Sequence, residues 1–376
     1  MRIATGARGP PAAVADGPAM IHFFPRFAKN AADTPFGQYL RETGVAHRIF
    51  GTHVQQAFRF RLQLLLIGYP HLAWSAFLVA LRSLFDRSDQ PPDAVVISSD
   101  VEVLVFALVR RLPFAAKPRI VFMPFIFTQR ANRAVNRFRL AYYRFVVRRV
   151  SCAICHSTLE VQRYERLFEG CGAAFVFVPW GTYVPEPSEI LRSGAPVRAR
   201  NDTPVVVAAG RSGRDYPTLV AAVHDLPCRV AIICNETAGL GGVVASPQVE
   251  IMMSCFGTDY LRQLLDADVV VVPLRVEDIS AGQMVMIQAM ALARPLVVTQ
   301  TPTVGDYLED GDNAVLVARG DAGALRRAIA GLLADPAYAH ALGKRAREAY
   351  SARLSGDAHM RSVVQAIARH IGDVNR

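Results

Sequence analysis

Short, wholly apolar runs recur along this chain, separated by longer segments whose apolar positions return every three or four residues. In the first half the runs fall near 20–24, 46–50, 94–98, 119–124, 151–155 and 174–178. In the second half they fall near 204–209, 229–234, 249–253, 269–273, 295–299 and 314–317. A run such as Val269 to Leu274 has no polar position to turn toward water, so it reads as a strand covered on both faces. Strands of that kind alternating with helix-length segments predict an α/β protein with parallel sheets and covering helices. The stretch from Pro185 to Pro204 is rich in Pro, Ser and charge and divides the halves. Two doubly wound domains facing a cleft are therefore expected, with ligands at the carboxyl ends of the strands. The expected boundaries are a disordered tail over 1–18, a first domain over 19–187, a linker over 188–203, a second domain over 204–355 and a terminal helix within 356–376.

Composition agrees with two domains, since 376 residues at 52% apolar exceed what one core serves. The net charge of +10 points to an anionic partner. Nucleic acid is set aside because no groove-reading motif or aromatic RNA platform accompanies the charge. Six cysteines lie scattered, mostly inside apolar runs, which reads as reduced and cytoplasmic. The Cys152-Ala-Ile-Cys155 pair has no second pair at ligand spacing and falls on a core strand, so neither zinc nor redox chemistry is expected of it. Residues 1–18 are rich in Ala, Gly and Pro, and a strand beginning directly at Met20 makes Met20 the expected natural start.

The candidate chemistry lies after the strand Val269 to Leu274. Ser280-Ala281-Gly282-Gln283 begins a helix with small residues, leaving its first N–H groups unobstructed for an anion. Gly282 lets a phosphate approach, and Gln288, about two turns on, reaches toward a ribose hydroxyl. Met284, Ile287 and Ala291 form an apolar stripe, so the same helix packs while its start binds. Glu277 and Asp278 precede it as candidate sugar-hydroxyl acceptors. Gly210, Arg211 and Arg214 follow the strand 204–209, where two guanidiniums suit a diphosphate. Asp215 is expected to cap the next helix, with Pro217 in its first turn.

These two blocks, Val205 to Leu219 and Ser280 to Met290, resemble the donor-binding half of GT-B glycosyltransferases, in particular the retaining family 4 type. The resemblance covers residues 150–350 well and the first 150 in outline. It implies two Rossmann-like domains, a nucleoside-diphosphate-sugar as co-substrate, no cofactor, no metal, and a terminal helix that crosses back onto the first domain. That family places a Glu, seven residues, then a second Glu at positions matching Ser280 and Gln288. Gln288 still hydrogen-bonds a ribose, whereas Ser280 cannot act as a carboxylate beside the transferred sugar. By the same resemblance Arg211 is the candidate catalytic cation. Asp100, at the strand end Ser98-Ser99-Asp100, is the candidate catalytic carboxylate, with helix capping as its alternative.

Elsewhere in the first domain, His156-Ser157 also follows a strand end and reads as a satisfied structural pair. Leu62 to Leu81 carries no charge, but Gly68, Pro70 and His71 interrupt it, so a core or interfacial helix is expected before a span. From Arg130 to Arg149 there are seven arginines and no acid. Arg130, Arg133, Arg137, Arg144 and Arg148 share roughly 60° of a helix face, flanked by Phe138, Tyr142 and Phe145, a pattern suited to anionic lipid. The expected protein is a cytoplasmic hexosyltransferase, peripheral on the inner face of the cell membrane. It transfers sugar with retention to a lipid-linked or surface-polysaccharide acceptor. The alternatives are a nucleotide-sugar 2-epimerase and a non-catalytic sugar-nucleotide-binding partner subunit.

Overall fold

The computed structural model describes residues 20–24, 35–50, 68–85, 90–129, 132–193, 203–211, 213–275 and 280–372. Every expected strand forms, one or two residues shorter than its apolar run. The first six are β1 (Ile21–Phe23), β2 (His47–Ile49), β3 (Ala94–Ile97), β4 (Arg119–Phe122), β5 (Cys152–Cys155) and β6 (Ala174–Phe177). The second six are β7 (Val205–Ala209), β8 (Arg229–Ile233), β9 (Val249–Met252), β10 (Val269–Val272), β11 (Leu296–Thr299) and β12 (Val315–Val317). They make two six-stranded sheets, ordered β2-β1-β3-β4-β5-β6 and β12-β11-β10-β7-β8-β9. All pairings are parallel, with Val270 opposite Val207 and Leu296 where β10 joins its two neighbours.

Burial follows from that topology. The four valines of β10 are each 0% exposed because helices cover both faces of the sheet. Each such side chain contributes about 1.5–3 kcal/mol relative to staying in water. One core cluster lies on each face of each sheet. Short polar caps start the helices: Ser99 accepts from Glu102 N, Ser157 from Glu160 N, Asn132 from Ala134 N and Val135 N, and Asp215 from Thr218 N.

Several local expectations change. The capping role considered for Asp100 belongs to Ser99, since Asp100 already has helical position within Asp100–Val109. The start of the expected linker is a helix, Pro187–Ser193, whose Ile190 is 1% exposed in the second domain's core. A proline that cannot continue a helix is well suited to begin one, so a Pro- and Ser-rich stretch is not by itself a linker. Residues 194–202 and the tail 1–18 lie outside the described residues. The uncharged run ends inside a helix, Tyr69–Leu84, which buries Leu72, Ala76, Ala80, Ser83 and Leu84 and has Pro70 in its first turn. Among the described residues no helix is long and apolar enough to cross a membrane.

The last helix, Gly356–Gly372, sends Met360, Val363, Ala366 and Ile367 into the core beside Ile21 and Ile154 of the first sheet and Leu40 of the helix Pro35–Glu42. Polar bonds close the seam between domains. Asp306 accepts from Thr158 N at 2.8 Å and Thr158 Oγ1 at 2.7 Å, satisfying a first-turn N–H across the cleft. Tyr307 donates to the His156 carbonyl at 2.7 Å and accepts from Trp180 N at 2.9 Å.

Candidate functional site

In the second sheet the chain adds β8 and β9 on one side of β7, then returns to add β10 on the other. The two loops leaving β7 and β10 therefore diverge, and the opening between them is where doubly wound proteins hold ligands. Here the loops are sutured together. Asp215 N donates to Pro273 O at 3.0 Å, Arg275 N to Gly213 O at 2.8 Å, and Arg214 bridges Leu274. This lays Arg214 into the opening, 4% exposed, with its Nε donating to Ala209 O at 2.8 Å. Burial lowers the guanidinium's pKa, so the surroundings disfavour a charge that nonetheless stays.

Two glycines permit this arrangement. Gly210 has φ +106°, and a Cβ there would meet Arg214 Nη2 at 2.4 Å. Gly282 has φ +89° and precedes the helix Gln283–Ala291. A Cβ there would meet Val272 Cγ1 at 2.9 Å, with Arg214 Nη1 at 3.9 Å. A buried cation thus lies between two side-chain-free backbone turns and beside the open amide end of a helix. That combination suits a diphosphate.

A cavity of about 300 Å³ continues from this point past Gly210, Arg211, Asn235, Phe256, Tyr260, Met284 and Gln288. Tyr260 donates to Gln288 Oε1 at 3.0 Å, which orients the amide, and burial pushes the Tyr260 hydroxyl's pKa up. The Tyr216 hydroxyl donates to the Gly210 carbonyl and fixes the loop from below. Two larger depressions, about 650 and 930 Å³, lie elsewhere on the second domain, along the helix Tyr216–Val223 and at the amino ends of β7 and β8. The smaller cavity is favoured because it alone of the three adjoins the switch point and its buried cation.

The sequence candidates sort as follows. Gly210, Arg214, Gly282, Met284 and Gln288 converge at the opening, while Ala281 is 6% exposed and Gln283 8%. Arg211 lines the cavity but pairs with Glu236 at 2.6 Å, both side chains more than half exposed. Ser280 stands on the first-domain side, its N–H donating to Glu160 Oε1 at 3.2 Å. The expected apolar stripe is corrected. Met284 is 42% exposed and accepts from Trp180 Nε1 at 2.9 Å, whereas Val285, Met286, Ile287, Ala289, Met290 and Ala291 are buried all round the helix. Glu277, Asp278 and Arg130 lie outside the described residues. Asp100 does not line the cavity; its carboxylate faces Tyr142, whose hydroxyl pKa it helps raise after burial.

On the helix Arg133–Val147 and its cap, Arg133, Arg137, Arg144 and Arg148 are exposed, though Arg144 turns its guanidinium onto Leu167 O at 3.0–3.1 Å. Both sulfurs of the Cys152/Cys155 pair are buried, which pushes the Cys152 thiol up to about 12 and the Cys155 thiol higher still. Asp266-Ala-Asp268 and Asp310-Gly-Asp312 have a spacing found in metal sites, but these carboxylates serve the fold. Asp266 pairs with Arg262, Asp268 accepts from Val205 N, Asp310 from Leu316 N, and Asp312 pairs with Arg345. Among the described residues no three His, Cys, Asp or Glu side chains converge at metal-ligand spacing. Sequence reasoning missed Tyr260, Phe256 and Glu160. The only advance sign was Ser157-x-x-Glu160, a capping-box spacing, and here the glutamate side chain also accepts from Ser280 N across the cleft.

Comparison with known proteins adds the following. A family profile described as Glycosyl transferases group 1 matches residues 214–335, from Arg214 through the helix Gln283–Ala291 to Asp335. No curated protein sequence matches. Among solved structures the chain is similar to sucrose-phosphate synthase from Thermosynechococcus elongatus, at 18% identity and a TM-score of 0.65, covering 93% of this chain and 98% of that one. It is similar also to HepE from Anabaena in complex with UDP-glucose, at 16% identity and a TM-score of 0.59, covering 94% and 100%. A third is alpha,alpha-trehalose 6-phosphate synthase from Burkholderia multivorans, at 12% identity and a TM-score of 0.61, covering 96% and 100%. The chain therefore has the two-domain GT-B fold of these glycosyltransferases, and residues 214–335 within it match a group 1 glycosyl transferase domain.

Proposed function

We propose that this protein is a glycosyltransferase that takes a sugar from a nucleoside-diphosphate-sugar, without a metal, and retains the configuration at the anomeric carbon. The observation that carries this reading is the buried Arg214 guanidinium held between Gly210 and Gly282 at the switch point. In this reading the base enters the 300 Å³ cavity past Phe256, and Gln288, oriented by Tyr260, takes a ribose hydroxyl. Arg214 and the helix start at Gly282 stabilise charge as it builds on the leaving diphosphate. Arg211 joins them by exchanging Glu236, and an exposed pair of that kind is worth only about 0–1 kcal/mol. The similar HepE structure holds UDP-glucose, which supports a donor of this class.

Calorimetry with UDP, GDP and ADP and their sugar esters is expected to show one nucleotide family binding. No binding by any would reject the reading. Ser280, standing where a carboxylate is expected, keeps the non-catalytic partner subunit as the second reading. Release of nucleoside diphosphate from the bound donor by the purified chain decides against it.

The acceptor is proposed to be lipid-linked or a surface polysaccharide, reached from the cytoplasmic face of the membrane. Support comes from the first domain, where Trp74 is 60% exposed and Phe114 91%, and where Phe138 at 75% and Phe145 at 50% share a helix with the exposed Arg133 and Arg137. Aromatic side chains among exposed cations suit an anionic headgroup layer. Co-sedimentation with phosphatidylglycerol vesicles is expected, and the Arg137→Glu, Phe138→Ser double variant should lose most of it. Equal sedimentation of both proteins would remove the membrane from the proposal.

A further inference from the structure

Where the helix Gln283–Ala291 meets the first domain, four buried side-chain polar atoms have no hydrogen-bond partner among the described residues: His156 Nε2, Glu160 Oε2, Ser280 Oγ and Gln283 Nε2. His156 is 5% exposed, Glu160 2% and Gln283 8%. Buried polar atoms are nearly always paired, so several orphans at one seam mark a site built for something polar. Neighbouring contacts place the four along one seam. Glu160 Oε1 accepts from Ser280 N at 3.2 Å, and Ser280 lies one turn before Gln283. The His156 ring packs edge-on to Trp180 at 4.6 Å, and Trp180 Nε1 donates to Met284, the neighbour of Gln283.

Their chemistry is complementary in a specific way. His156 Nδ1 lies 2.8 Å from the Val178 carbonyl, which can only accept, so Nδ1 carries the proton. Burial holds the ring neutral by lowering its pKa to about 4, which leaves Nε2 an acceptor. Glu160 Oε2 accepts when ionised, although burial raises its pKa while the backbone N–H groups of Ser280 and His156 hold part of that rise back. Gln283 Nε2 donates, and Ser280 Oγ does either. Two acceptors, a donor and a hydroxyl match adjacent hydroxyl groups on a pyranose, each of which gives one hydrogen bond and takes others. The ionised diphosphate of a sugar nucleotide offers no donors to the two acceptors, and an apolar group satisfies none of the four.

We infer that Glu160 and His156, reaching across from the first domain, bind the hydroxyls of the transferred sugar together with Ser280 and Gln283. Glu160 thereby restores a carboxylate beside Ser280, where the matching position of the second domain has none. The inference rests on the donor reading above and extends it from the diphosphate to the sugar. It places the sugar between the domains, on the side of Gly282 away from the nucleotide cavity.

The test compares Glu160→Gln with the wild type, measuring Kd by calorimetry for UDP, GDP and ADP and for UDP-glucose, GDP-mannose and ADP-glucose. Glutamine keeps an oxygen for Ser280 N but replaces the free acceptor with a donor. The sugar nucleotide is expected to bind about tenfold more weakly, with affinity for its nucleoside diphosphate unchanged. That unchanged affinity also shows the variant folded. If both ligands bind as to the wild type, the inference fails. It fails equally if both weaken together, since Glu160 then acts on closure of the domains, or if the wild type gains nothing from the sugar of any pair. A wild type that binds none of the six ligands overturns the donor reading itself. His156→Asn should give the same selective loss.

Discussion

Replacing Arg214 with methionine is expected to weaken nucleoside-diphosphate binding about 100-fold while changing the melting temperature of the free protein little. The two halves of this result have different causes. In the free protein the guanidinium is 4% exposed and its pKa is lowered by burial, so it is held charged at a desolvation cost. Removing the guanidinium relieves that cost while forfeiting the bond to Ala209 O and the other contacts Arg214 makes, each hydrogen bond being worth about 1 kcal/mol, so gain and loss are expected largely to offset. Binding differs, because charge-assisted bonds to a diphosphate contribute about 1.5–3 kcal/mol each, and 1.4 kcal/mol is tenfold in affinity. Arg214→Lys should recover only part of the loss, since an ammonium keeps the charge but not the planar fork. Calorimetry and a thermal scan of the free variant check both halves. Unchanged affinity would move the phosphate site away from the switch point.

Gly282→Ala is expected to lower the melting temperature by about 5–10 °C and to abolish measurable diphosphate binding. An alanine at φ +89° costs about 1–2 kcal/mol by itself. Its Cβ would also stand 2.9 Å from Val272 Cγ1 and 3.5 Å from Leu274 Cδ2, and both side chains are packed in the wall behind. Neither can retreat, so the turn and the first helical N–H groups must shift. Gly172→Ala separates the two contributions. Its φ is +79° with nothing within 4 Å of the added Cβ, so only the backbone cost remains. Scanning calorimetry of the pair should show Gly282→Ala well below Gly172→Ala. Equal shifts would mean that the close approach at Gly282 does not matter.

Much of this was legible in advance, for identifiable reasons. An all-valine run such as Val269 to Val272 has only one environment that suits it, so strand positions and the parallel class follow from composition at each run. Glycines and arginines directly after such runs marked the second domain's loops, and Gly210, Arg214 and Gly282 do meet there. The terms lost were those that depend on which way a side chain turns. The resemblance favours Arg211 over Arg214 as the catalytic cation, yet Arg211 faces Glu236 at the surface and Arg214 fills the switch point. Asp100 suited a cap or a catalytic carboxylate, and the preceding serine took the cap.

What the sequence alone determined is the list of elements, their alternation, the two-domain α/β class and the loops able to admit an anion. These are local consequences of burial period, turn residues and backbone freedom, and they need no knowledge of partners. Tertiary structure alone decided which residues share a site. Glu160 and Ser280 are 120 positions apart and meet only because segments that follow strands of the two sheets meet across the cleft, with Asp306, Tyr307 and the returning helix Gly356–Gly372 joining the domains. A contact between distant segments depends on how whole domains pack, and no local pattern encodes that.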